Sequence, residues 1–172
     1  MDLGISFGEY YILKKNQIIT FKEFWNSYNN ILITKILDYK RYDNDKYIRI
    51  KIAMENFIFS YAKKHGTDIY IDCMNSLFAL LFKSNEYCTN DILLTRRCAN
   101  LLEESNSKRI VIINDIKILY QHYQKIINGE YIQDFNILKL REYLKRSLIK
   151  YMDKMKSESF SHAVFINSID NL

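Results

Sequence analysis

The chain predicts an all-α fold, a single compact bundle of six or seven helices, on three observations. Its 172 residues contain no proline and only four glycines, Gly4, Gly8, Gly66 and Gly129, so almost nothing in it interrupts a helix. Hydrophobic residues make up 48% of the chain, enough for one core. Those residues recur mainly at spacings of three and four, the period of a helix with one buried face.

Residues 1–172 read as one domain, with 1–19 as an irregular or hairpin lead-in. Glu9-Tyr-Tyr-Ile-Leu13 and Gln17-Ile-Ile-Thr20 flank a polar Lys14-Lys15-Asn16 turn. Thr20 stands three residues before Glu23, a capping-box spacing that satisfies free amides at a helix start. The helix that follows places Phe21, Phe24, Trp25, Tyr28, Leu32, Ile36 and Tyr39 on one face. After the polar break Asp43-Asn44-Asp45, a second helix carries Ile50, Ala53, Met54, Phe57, Ile58 and Tyr61, and Gly66 is expected to close it in the left-handed conformation.

Thr67 is the expected cap of a helix running to about Lys83, with Ile71, Met74, Phe78, Leu81 and Phe82 inward. Asn90 or Thr89 caps the next, Asp91 to Glu104, and Ser105-Asn106-Ser107 separates it from a segment that ends before Gly129. That segment has a stripe of Ile113, Ile116, Tyr120, Tyr123 and Ile127, with a short strand as the alternative for its opening, the β-branched run Arg109-Ile-Val-Ile-Ile113. Asp134 caps a helix to about Lys156 with Leu140, Leu144, Leu148, Tyr151, Met152 and Met155 on its apolar side. A last segment, Ser159 to Asp170, packs through Phe160, Val164, Phe165 and Ile169.

Charge and motifs exclude more than they assign. The net charge of +5 is below that of a dedicated nucleic-acid binder. Heavy use of Ile, Asn, Lys and Tyr, with 14 tyrosines, is the composition of an AT-rich genome such as that of a large DNA virus or an AT-rich microbe. Three cysteines, Cys73, Cys88 and Cys98, lack C-x-x-C spacing, which argues against a disulfide framework or a zinc site and for reduced thiols. The N-terminus lacks a signal-peptide pattern. The longest uncharged stretch, Cys73 to Phe82, is roughly half of the ~20 residues a bilayer crossing takes, so the expectation is a cytoplasmic protein without a membrane span.

No catalytic, cofactor or metal site is predicted. His65, His122 and His162 are far apart, and no phosphate-cradling glycine motif or nucleophile elbow is present. His65 reads as a residue of a helix's last turn. Asp68 with Asp72, and Glu103 with Glu104, read as solvated carboxylates, and Cys98 as a small buried hydrophobe beside Leu94 and Leu101. Two basic features point to phosphates as an alternative function. One is the run Lys139, Arg141, Lys145, Arg146, Lys150, Lys154 and Lys156 on a single helix, and the other is Arg96-Arg97 beside Asn100. A structural subunit of a larger assembly is a further alternative. The surplus of aromatic residues on helical faces favours an interaction module.

The stretch Met54-Glu-Asn-Phe-Ile-Phe-Ser-Tyr-Ala-Lys-Lys-His-Gly-Thr-Asp-Ile-Tyr-Ile-Asp-Cys-Met74 resembles the second-to-third helix junction of the poxvirus Bcl-2-like proteins, with Phe57, Gly66 and Asp68 at matching places. Phe24-Trp25-Asn26 is similar to the aromatic centre of that family's first helix, and Cys98-Ala99-x-Leu-x-Glu103 to the small-residue segment of its central helix. Arg96 and Arg97 depart from it, since that central helix is apolar. The resemblance implies a non-enzymatic viral module that binds host apoptotic or innate-immune signalling proteins through helix surfaces. Without a C-terminal anchor it implies the cytosolic signalling branch. Groove capture of a helix by such a protein uses apolar anchors, here Phe57, Tyr61, Tyr70, Phe78 and Phe82 on the second and third helices.

Overall fold

The computed structural model describes residue 23 and residues 26–28, 45–83, 85–86, 90–132, 136–157 and 159–172. All regular structure among them is helical. Six helices follow one another: α1 Asp45–Ala62, α2 Gly66–Leu81, α3 Asp91–Leu102, α4 Asn106–Ile127, α5 Ile137–Met155 and α6 His162–Asp170. The hairpin expected within residues 9–20, the Thr20 cap and most of the helix expected from Phe21 to Tyr39 lie outside the described residues. Of that helix, Glu23 and residues 26–28 are helical. Tyr28 is buried there, and its hydroxyl donates to Asp153 Oδ1 at 2.8 Å near the end of α5.

α2 is the innermost helix. Nine of its sixteen residues are buried, and α1, α3, α4 and α5 all pack on it. Its sequence from Cys73 to Phe82 has no charge, so both sides of the helix lose little by leaving water. Two buried hydroxyls tie it to its neighbours through main-chain carbonyls: Ser76 Oγ donates to Ala53 O of α1 at 2.7 Å, and Tyr70 Oη to Leu119 O of α4 at 2.8 Å. α5 has the sharpest two-sidedness, and Leu140, Leu144, Leu148, Tyr151, Met152 and Met155 are all buried as expected.

Several local expectations are corrected. Gly66 does not close α1 but opens α2: α1 ends at Ala62, and the chain turns through His65, whose extended backbone (φ −92°, ψ 129°) serves as the N-cap. An extended residue redirects the chain without any left-handed one, so no glycine was required at that junction. Thr67 therefore sits inside the first turn, and His65 lies at a helix start. α5 is capped by Asn136, whose side chain accepts from Lys139 N; Asp134 and Thr89 lie outside the described residues. Asn90 and Ser161 cap α3 and α6 by accepting from Leu93 N and Val164 N.

Arg109–Ile113 is helical, not a strand. The inward stripe of α4 is Ile112, Ile116, Leu119 and Tyr120, rotated from the one expected, while Ile127 is exposed. Val164 of α6 is likewise exposed, beside buried Phe165 and Ile169. Gly129 follows α4 with φ +77°, the left-handed value that lets Gly129 N and Glu130 N fold back onto Ile126 O and Lys125 O. A Cβ there meets nothing within 4 Å, so only backbone strain opposes a side chain. Gly129→Ala is expected to lower stability by about 1–2 kcal/mol with an unchanged denaturant slope, measured by urea unfolding.

Candidate interaction surface

Phe57, Tyr61, Tyr70, Phe78 and Phe82 do not form one exposed set. Tyr70, Phe78 and Phe82 belong to the core, where Phe78 meets Phe82 and Tyr123 edge-on with ring centres 5.7 and 5.3 Å apart. They act as surface anchors only if the core opens, so their assignment to a groove is corrected to packing. Phe57 is half-buried and stands edge-on to Tyr61, which is 62% exposed. The guanidinium of Arg141 lies 4.0 Å from the Tyr61 ring centre, and Arg141 Nη2 donates to Ser60 O.

The basic set is also dispersed. Arg97 is 1% exposed and lies under the surface, not on it. Its Nη1 and Nη2 reach Glu86 at 2.6 and 2.8 Å, and its Nε and Nη2 reach Asp170 at 2.7 and 2.8 Å. Nη1 also donates to Leu81 O at 2.8 Å. Arg96 is exposed and leans on Asp170 at 3.5 Å. Lys139 pairs with Asp115 at 2.6 Å and Arg146 with Glu103 at 2.5 Å. Lys145 and Lys150 remain exposed. Of the nine basic side chains, Arg97, Lys139, Arg141 and Arg146 are thus held by contacts to other parts of the bundle, Arg96 and Lys156 pair at the surface with Asp170 and Asp153, and Lys145, Lys150 and Lys154 are exposed.

These partners set the titration of the carboxylates. Hydrogen bonds from Arg97, outweighing burial, hold Glu86 down to about 2 from its ordinary 4.5, and the same guanidinium depresses Asp170. Burial raises Asp115, but hydrogen bonds from Lys139 and from Tyr143, whose hydroxyl is 2.5 Å away, overcome it and leave that carboxyl low. Cys73 and Cys98 are buried and free, and burial pushes both thiols up, Cys98 to about 12, so neither is a ready nucleophile.

The three histidines have different surroundings. His65 is exposed and His122 is half-buried near Tyr70. His162 is buried between Tyr151 Oη at 2.9 Å and Phe82 O at 2.8 Å. A carbonyl only accepts, so Nε2 carries the proton, and in the neutral ring Nδ1 accepts from the tyrosine. Asp72 faces Lys63 at 4.0 Å and Glu103 faces Arg146, so these carboxylates are ion-pair partners.

Part of what the described helices leave outside is apolar. Ile110, Val111 and Ile118 of α4, each more than half exposed, share one face with Asn114 and Gln121 at spacings of three, four and seven, bordered by Lys108, Lys117 and Lys125. On α1, Ile48, Ile52 and Phe59 are exposed at spacings of four and seven, and Ile58 is exposed next to Phe59. The α4 residues were not singled out from sequence because that helix is apolar nearly all round. The only available signal was the excess of β-branched residues beyond those one buried face accommodates. No family model, characterised protein or solved structure matches this chain.

Replacing Arg97 by alanine strands two carboxylates in a confined space. A loss of about 3–5 kcal/mol is expected by urea unfolding, with Arg97→Met recovering part of it through packing. Because Glu86 and Asp170 are held low when folded, their contribution is complete above the ordinary carboxylate range. It drains away as pH falls from about 4.5 toward about 2. The wild type should lose stability across that window in an acid titration followed by circular dichroism, and Arg97→Met should show a shallower limb.

Proposed function

We infer that the chain is a non-enzymatic protein-interaction module whose partner is a host apoptotic or innate-immune signalling protein, engaged through an outer helix face. The outward stripe of α4, Ile110, Val111 and Ile118 with Asn114 and Gln121, carries this reading. Apolar side chains on one face of a surface helix, with amides between them and lysines at the border, have the make-up of a contact centre with a polar rim. Burial of Tyr70, Phe78 and Phe82 favours such a face over capture of a helix in a groove, in keeping with the signalling branch of the poxvirus Bcl-2-like proteins. Among the described residues no helix is long and apolar enough to cross a membrane.

A nucleic-acid role is the alternative, and the burial of Arg97 together with the ion pairs of Lys139 and Arg146 and the hydrogen bond of Arg141 weakens it. Salt separates the two, because phosphate contacts release counterions and weaken steeply with ionic strength while apolar contacts do not. The test is a pull-down with the full tagged chain from vertebrate cell extract, treated with nuclease and washed at moderate and high salt. A defined signalling protein should survive both treatments. It should be lost with Ile110→Lys/Ile118→Lys, whose unfolding curve should stay near that of the wild type. Loss of every bound protein on nuclease or salt treatment refutes the interaction reading.

A further inference from the structure

The exposed face of α4 is ordered across its width. Val111, Asn114, Ile118, Gln121 and Lys125 follow at intervals of three and four, and Ile110, Asn114, Lys117 and Gln121 at intervals of four and three. The two rows share their amides. Asn114 and Gln121 therefore run down the middle, with Val111 and Ile118 on one side and Ile110 and Lys117 on the other. All of these side chains are exposed, and from Val111 to Lys125 the face is about 21 Å long.

The charge left over on this helix is positive. Between Asn106 and Ile127 it carries Lys108, Arg109, Lys117 and Lys125 against one carboxylate, Asp115. That carboxylate is already engaged, by Lys139 at 2.6 Å and by the Tyr143 hydroxyl at 2.5 Å. Glu104 and Glu130 stand before and after the helix, outside both rows. The adjoining helices do not reverse the sign: α3 carries Asp91 with Arg96, and α5 exposes Glu142 with Lys145, Lys150 and Lys154.

This combination discriminates among occupants. A nucleic acid meets lysines but gains little from isoleucine and valine. An anionic lipid surface accepts both, yet its hydrocarbon offers no hydrogen-bonding group to Asn114 and Gln121, which lie where a contact is buried deepest. A protein surface supplies aliphatic side chains, carboxylates and partners for the amides together.

We propose that α4 selects an acidic protein partner, one with an aliphatic centre against Ile110, Val111 and Ile118, hydrogen-bonding groups at Asn114 and Gln121, and carboxylates toward Lys117 and Lys125. This rests on the reading of α4 as the contact face. Charges at the edge of a contact act mainly on the rate at which partners meet. The lysines thus choose the partner, and the apolar centre holds it.

The probes are two synthetic amphipathic helices with the same leucine stripe, one flanked by glutamates and one by lysines, titrated into the full chain and followed by fluorescence anisotropy. The glutamate peptide should bind about 10-fold or more tightly than the lysine peptide. Lys117→Glu/Lys125→Glu should invert that preference, and Lys117→Gln/Lys125→Gln should narrow it. Ile110→Ser/Ile118→Ser should lose the glutamate peptide with an unfolding curve near that of the wild type. Phosphatidylserine vesicles should not retain the chain. Equal affinity for the two peptides, binding of neither, or a preference that survives the charge reversal overturns the proposal. So does retention on the vesicles that Lys117→Glu/Lys125→Glu abolishes, which assigns the face to a membrane. Should those results accompany capture of a signalling protein that Ile110→Lys/Ile118→Lys abolishes, α4 stays a contact face and only its preference for acid falls. If the glutamate peptide binds as expected and no signalling protein is captured, the preference stands and that class of partner falls.

Discussion

One buried cation organises the far half of this bundle. Arg97 sits on α3 with almost no contact with water, and its three nitrogens are divided among Glu86, Asp170 and the Leu81 carbonyl. Those partners come from the end of α2, the connection that follows it, and the last turn of α6. Forked, planar geometry lets one guanidinium meet two carboxylates at once, which a lysine ammonium does not do. Such a knot is a poor source of net stability compared with well-packed aliphatic residues, because the desolvation of three charges offsets most of their attraction. Its effect is on arrangement: α3 has one rotation, and α6 one position, in which every charge is met.

Around this knot, short polar ties reinforce the same placement. Asn100 Nδ2 donates to Ile169 O at 2.7 Å, Lys83 Nζ to Asn167 Oδ1 at 2.8 Å, and His162 joins the start of α6 to Phe82 and Tyr151. Phe165, Ile166 and Ile169 supply the apolar part of the docking. A nine-residue helix is too short to hold itself together in water, so α6 owes its existence to these contacts. By contrast α1 and α4 are long helices, and most of the exposed large hydrophobic residues among the described ones lie on them.

The fold class was legible because nothing in the sequence opposes it, and α5 was legible in detail because its lysines and leucines separate cleanly onto two faces. α4 was not, since isoleucine on every side gives two acceptable registers, and tertiary packing chose Ile112 and Leu119 over Ile113 and Ile127. Gly66 was misread because glycine near a helix end has two meanings, and the extended backbone of His65 decides between them. The exposed aromatic set was only partly readable: Phe57 and Tyr61 reach the surface in part or in full, whereas the uncharged helix carrying Tyr70 and Phe78 was drawn wholly inside. Arg97 looked like half of a surface pair because its partners lie 11 and 73 residues away, and a single chain of letters carries no sign of such distant pairing.

That last separation has a consequence for how the chain is made. A polypeptide emerging from the ribosome releases α3 well before α6, with all of α4 and α5 between them. Until Asp170 appears, Arg97 has only Glu86 and a carbonyl to meet, so its Nε and one bond of Nη2 lack their carboxylate partner and are left to water. The closing of that loop carries the chain entropy of the intervening segment as well. Vectorial synthesis therefore delivers the first helices in a loosened form and completes them from the far end, and the residues around 162–170 act as the final fastening of a structure begun much earlier.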